Sequence, residues 1–215
     1  MIEPDIARCF RTVLERLRDA GAEVVEIDLG QEFTWIAERS IWNIFFHETI
    51  HTIPEFLRRH GVPASFGDIY NQLEPAIKDA WSQAVLPGGP DFVSAETYQT
   101  AISVDRPELQ YRFSSIFSQT GIDAFLCPTT PCAAPLIKDQ TAFPIADRMV
   151  SHLTLAKNTA PTSGAGGPGI SIPMGLTDQG LPVGIEIDGA PHRDRALLDV
   201  ARRVEVAIGA IPAPR

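Results

Sequence analysis

The sequence predicts an α/β fold. Three observations carry that reading: an N-terminal amphipathic helix that runs through a glycine into a β-branched segment, two strand-like segments near the C-terminus joined by a short connection, and a closing amphipathic helix. A helix leading tightly into a strand is the rhythm of layered α/β proteins and not of helical bundles.

In chain order, "EPDIARCFRTVLERLRDAG" reads as a helix, because Ile6, Phe10, Val13, Leu14 and Leu17 recur at helical spacing. Pro4 lies near its start, where proline is tolerated, and Gly21 supplies a stop. "AEVVEIDL" then reads as a strand, through Val24, Val25 and Ile27. From Phe33 to about His60 the pattern is helical again, with a break expected near Pro54. Residues 61–90 are mixed, and "LPGGPDF" is a loop. "VSAETYQTAISVDRPELQYRFSSIFSQTG" gives one or two helices, and "IDAFLCPTTPCAAP" a short buried strand running into a proline-rich turn. After a further loop, "GISIPM" and "LPVGIEIDG" are strands joined by "GLTDQG" in a hairpin-like connection. "DRALLDVARRVEVAIG" closes the chain as an amphipathic helix. There is no internal repeat and no low-complexity tail.

Composition narrows the function classes. The 215 residues can bury a sizeable core as one domain, and 44% apolar with 21% charged residues is ordinary for a globular protein. A formal net charge of −9 with no basic run argues against nucleic acid and against an anionic membrane surface as partners. Cys9, Cys127 and Cys132 form no C-x-x-C pair and read as reduced thiols. The acidic start "MIEPDIARCFR" lacks the pattern of a signal peptide, and no apolar run reaches the length of a membrane span. The expectation is a soluble, cytoplasmic protein.

One string invites a metal. His47-Glu48-Thr49-Ile50-His51 spells H-E-x-x-H, which places two histidines on one helical face with a glutamate able to activate a zinc-bound water. The downstream third histidine of the extended motif is absent. Glu74 as a distant carboxylate ligand is followed by Pro75 and has no second acid at helical spacing. At about 100° per residue, Trp42, Phe46, Ile50 and Ile53 form the apolar stripe, and His47 and His51 fall on its flank. A zinc hydrolase using His47, Glu48 and His51 is therefore the remote alternative, and the expectation is coincidence on a helix with no metal site. Other chemistry is equally thin. Cys127 and Cys132 flank prolines with no histidine nearby, and Ser114 and Ser115 lie on a helical pattern without a nucleophile elbow. The glycines of "SGAGGPG" precede a strand, whereas a phosphate loop follows one.

Asn158 to Glu205, "NTAPTSGAGGPGISIPMGLTDQGLPVGIEIDGAPHRDRALLDVARRVE", closely resembles the end of amidase-signature hydrolases, and within them the indoleacetamide and mandelamide hydrolase group. "LRDAGAEVVEIDL" and "GIDAFLCPTTPCAAP" are similar to upstream pieces of the family in the same order. The matches span nearly the whole chain, with about 33–110 the least specific. Gly164, Gly166, Gly167 and Gly169 allow tight turns and close approach, and Gly184 suggests close packing or a bulge. Thr129, Thr130, Asn158, Thr159 and Ser163, polar residues on turns at strand ends, are the candidates for lining a substrate pocket.

The resemblance implies the C-terminal portion of the amidase-signature fold, a mixed β-sheet covered by helices, with residues 1–215 as a partial domain. It also implies acyl transfer from a carboxamide to a serine, then hydrolysis to acid and ammonia, without a cofactor. The family's Ser–Ser–Lys triad belongs to a glycine- and serine-rich signature in its N-terminal half. No Gly-Gly-Ser-Ser-Gly-Gly run occurs here, and Lys78, Lys138 and Lys157 stand in no matching context, so no catalytic residue is assigned to this chain. The expected small-molecule partner is an aryl-bearing primary amide. The expected macromolecular partner is an N-terminal amidase half, or self-association through the open sheet edge and apolar face that half a fold leaves. The alternative from another class is a non-catalytic binding or assembly module that keeps the amidase half-fold.

Overall fold

In the computed structural model, which describes residues 1–139 and 141–213, the two C-terminal strand segments pair as expected. The chain divides into two units, Met1–Thr34 with Leu109–Arg215, and Trp35–Glu108.

The first unit is built on three strands, β1 (Phe125–Pro128), β4 (Gly169–Leu176) and β5 (Pro182–Asp188), in the order β1-β5-β4. Both pairings are antiparallel, so the α/β class holds while the sheet within this chain is antiparallel throughout. The β4–β5 turn is closed by Thr177, whose N–H donates to Leu181 O and whose hydroxyl accepts from the Leu181 N–H. The ladder slips between Pro173 and Gly175, as befits a strand containing a residue that cannot donate.

Two helices cover one face of this sheet. In α1 (Pro4–Asp19) the buried residues are Ile6, Cys9, Val13 and Leu17, and in α8 (Asp194–Ile208) Leu197, Ala201, Val204 and Ile208. Both stripes repeat every three or four residues, so each helix lays a single apolar face on the sheet. With Ile172, Met174, Val183, Ile185 and Ile187 they form one core cluster. Each fully buried isoleucine there contributes about 1.5–3 kcal/mol relative to exposure.

A second hairpin was not foreseen. β2 (Ala142–Ile145) pairs with β3 (Arg148–Ser151), and Phe143 and Ile145 are buried with Cys132 in a separate small cluster. A short helix, α7 (Ala160–Ala165), also lies in the segment read as turn and strand.

The unit Trp35–Glu108 is helical. It holds most of α2 (Gly30–Arg59), then α3 (Phe66–Gln72), α4 (Pro75–Ala84), α5 (Ala95–Thr100) and a π turn at Ala101–Asp105. Ser65 and Asp68 form a reciprocal capping box on α3, and the Ser94 hydroxyl accepts from the Thr97 N–H to start α5. Buried Asp105 accepts from Arg39 at 2.8 Å. α6 (Arg106–Thr120) continues directly from the π turn. Pro107 has no N–H and its ring would crowd the carbonyl four residues back, so a widened turn just before it is the expected accommodation.

Two expectations are corrected. Pro54 does not break the helix: α2 runs continuously to Arg59, with the proline inside. It forfeits one hydrogen bond near the C-terminal end, a loss the 30-residue helix absorbs. Residues 22–29 form no strand, because none of the described strands pairs with them. Val24 still packs on the core while Val25 is exposed, so the alternation is real and the ladder partner is what is missing. Among the described residues no helix is long and apolar enough to cross a membrane.

Candidate active-site face

Period-two alternation gives β5 two chemically different sides. Val183, Ile185 and Ile187 enter the core, which sends Gly184, Glu186 and Asp188 to the opposite face. The register extends that face across the sheet. Glu186 lies between Cys127 on β1 and Ser171 on β4, and Asp188 between Phe125 and Gly169. Gly169, Ser171 and Pro173 are exposed, so this polar face is open along the β4 side.

Thr129 extends β1 by one residue, its N–H donating to Gly184 O at 2.9 Å. Its hydroxyl meets that of Ser171 across the central strand in a short hydrogen bond. The contact requires Gly184: a Cβ there would lie 2.8 Å from Ser171 Oγ and 2.9 Å from Thr129 Oγ1. Of the two readings of this glycine, close packing is the one the structure bears out. The neighbouring bulge lies on β4.

The other sequence-predicted residues are placed as follows. Asn158 Nδ2 donates to Pro128 O at 2.7 Å, tying the approach to α7 to the end of β1 beside Thr129. Thr130 donates to Cys132 O at 2.7 Å and so organises the proline-rich turn. Thr159 stands at the start of α7 with its hydroxyl donating to Ala156 O, and Ser163 is exposed one turn further along that helix. Thr129 and Asn158 are thus brought to one strand end, while the side chains of Thr130 and Thr159 bond within their own turns.

The sequence reading missed Ser171, Glu186 and Asp188. The signal was present in "GIEIDG", where isoleucine alternates with acid, but nothing local says what covers the acidic side. Glu186 is 8% exposed and Asp188 1%. Burial raises Glu186 above the ordinary carboxylate range. Burial is also the main cause at Asp188, pushed up to about 7, with Thr162 opposing and the Glu186 charge adding. Among the described residues neither Asp188 Oδ1 nor Thr162 Oγ1 has a partner within hydrogen-bond distance. Burial likewise raises the Cys127 thiol well beyond its usual range and Cys132 to about 11. Thiols held protonated are poor nucleophiles, so this face carries hydroxyls and carboxyls as its usable groups.

The H-E-x-x-H residues lie in the other unit and are engaged locally. His47 Nδ1 lies 2.9 Å from Val93 O, and the ring stacks on Tyr98 at 4.2 Å between centroids. Tyr98 in turn donates to Glu48 Oε1 at 2.7 Å, which raises the phenol's pKa. Among the described residues no three His, Cys, Asp or Glu side chains are gathered to hold a metal. The glutamate that would activate a metal-bound water instead clamps α2 to α5.

The amidase family model matches residues 1–198. The chain is 32% identical to mandelamide hydrolase of Pseudomonas putida over 97% of its own length and 42% of that protein. It is 31% identical to indoleacetamide hydrolase of Agrobacterium vitis, over 96% of this chain and 44% of that one. Among solved structures, a bacterial aryl acylamidase of the amidase signature family superposes with a TM-score of 0.72 at 22% identity, over 96% of this chain and 41% of that one. The substrate complex of 6-aminohexanoate cyclic dimer hydrolase superposes with a TM-score of 0.71 at 21% identity, over 100% of this chain and 44% of that one. The chain therefore spans less than half the length of the relatives it matches, and it belongs to the amidase signature family.

Proposed function

We propose that this chain supplies the C-terminal half of an amidase that hydrolyses an aryl-bearing primary amide, of the mandelamide or indoleacetamide class, to the acid and ammonia. The observation that carries the reading is the open polar sheet face on a chain whose relatives of 32% and 31% identity are named for those two amides. In this reading the face and its strand ends form one wall of the substrate pocket, with Thr129, Thr130, Asn158, Thr159 and Ser163 as the candidate contacts. The serine nucleophile, its bridging serine and the lysine base come from a segment with no counterpart here. The reaction forms an acyl–serine ester as ammonia leaves with the lysine-relayed proton, and water then cleaves the ester. This half contributes shape and hydrogen-bonding groups rather than the nucleophile, and no metal or cofactor enters the scheme.

The test is ammonia release from mandelamide and indole-3-acetamide. The purified chain alone is expected to be inactive. Activity is expected when the signature-bearing N-terminal segment of the Pseudomonas putida mandelamide hydrolase is added. Turnover by the chain alone would overturn the proposal and direct mutagenesis to His47, Glu48 and His51.

A further inference from the structure

Glu186 and Asp188 form a buried acidic pair that the amide chemistry does not use. Both project from β5 on the polar face, and both converge on one point: a Cβ built on Gly169 would lie 2.9 Å from Glu186 Oε1 and 2.9 Å from Asp188 Oδ1. Gly169 itself is exposed. The two carboxyls therefore lie against the space that a side chain at the exposed Gly169 would fill, with the Thr162 methyl beside them.

Among the described residues the pair lacks a counter-charge. The groups that face Asp188 are Glu186 on its own strand, Cys127 on β1 and Thr162 on α7, and among the described residues no basic side chain figures in the environment of either carboxyl. Asp188 Oδ1 and Thr162 Oγ1 are both buried without a hydrogen-bond partner. An uncompensated buried carboxylate is strongly unfavourable, and the usual remedies are protonation or a cation with hydrogen-bond donors. A protein of net charge −9 has carboxylates in excess and basic groups to gain from a partner.

We propose that the Glu186–Asp188 pair is the docking point for a lysine or arginine side chain of the complementary amidase segment, entering over Gly169. The inference rests on the half-enzyme reading above and adds the chemistry of its interface. Before docking, Asp188 holds a proton that its burial favours. On docking, the incoming cation replaces that proton, so association releases it to solvent near neutral pH.

The experiment is isothermal titration of the chain with the Pseudomonas putida mandelamide hydrolase segment that precedes its matched region. Wild type is compared with the Glu186→Gln, Asp188→Asn double variant, with Glu186→Gln alone as the second variant should the double one fold poorly. Three results are expected together. The double variant binds on the order of tenfold more weakly. Unbound, it melts at a higher temperature than wild type, because a neutral amide tolerates burial better than an acid. Titrations in buffers of different ionisation enthalpy show a proton released by wild type and none by the variant. Equal affinity of wild type and variants, or no proton released by wild type, overturns the inference while leaving the half-enzyme reading intact. Failure of wild type to bind at all overturns that reading, and the inference falls with it.

Discussion

The two faces of the β1-β5-β4 sheet are written by the same residues of the same strand, yet they obey different rules. Val183, Ile185 and Ile187 are sealed by α1 and α8 within this chain. Gly184, Glu186 and Asp188 lie on the polar face, where Glu186 and Asp188 are buried while the neighbouring β4 residues Gly169, Ser171 and Pro173 are exposed. The apolar face is complete: its helices, strands and turn all lie within one unit. The polar face is incomplete, for it has two raised carboxyl pKa values, orphaned polar atoms and exposed hydroxyls. The contrast teaches that a fragment of a fold can be finished on one side and unfinished on the other. Substitutions should therefore behave oppositely on the two faces.

The largest expected effect is on the finished face. Ile187→Ala removes a fully buried side chain between β5 and the covering helices and should destabilise the chain by about 2–5 kcal/mol in chemical denaturation. A loss below about 1 kcal/mol would mean that α1 and α8 are loosely held and that the two faces are less different than they look.

The next effect belongs to Asp188 and is a matter of pH. Its folded pKa, about 7, lies above the ordinary value of 3.8, so the folded chain binds the proton more tightly than the unfolded one. Stability from this group is fully present below pH 3.8 and is lost as pH rises to about 7. The change is on the order of a few kcal/mol, and Asp188→Asn should abolish that slope and raise stability at pH 8. Urea midpoints of wild type and variant between pH 4 and 8 check this. Parallel curves would show that the carboxyl is already compensated.

Gly184 tests the hydroxyl contact. Gly184→Val places carbon against Ser171 Oγ and Thr129 Oγ1 and should cost about 1–3 kcal/mol by overpacking. Adding Ser171→Ala and Thr129→Ala removes both hydroxyl oxygens from that crowd and should recover part of the loss. No recovery would mean that the backbone, not the hydroxyl pair, demands glycine here.

The same contrast explains how much was legible in the sequence. α1, α8 and the β4–β5 hairpin could be read because each carries its own period and its own stop within a short window. Residues 22–29 have the composition of a strand, but a strand is a pairing and the described residues supply no edge for it. The β2–β3 hairpin escaped notice for a local reason. Its turn uses Ala146 and Asp147 at φ 45° and 64°, where such turns normally announce themselves with Asn-Gly. Of the candidate site, Thr129 and Asn158 were found by their place at a strand end. Ser171, Glu186 and Asp188 were not, because alternation reveals that a strand has two faces without saying which chain will cover the second.

The smallest expected effect separates structural from substrate-facing roles at that strand end. Asn158→Ala removes the donor to Pro128 O, a single half-buried hydrogen bond worth about 0.5–1.5 kcal/mol in the chain alone. Thermal melts of the isolated variant check that figure. In the complemented enzyme the outcomes diverge. If Asn158 only ties α7 to β1, ammonia release should fall no further than the loss of stability accounts for, with KM and kcat unchanged in the folded fraction. If it also reaches the amide, KM should rise while the melting curve stays as in the isolated chain. The second outcome would make Asn158 the residue at which the finished fold of this half and the unfinished pocket meet.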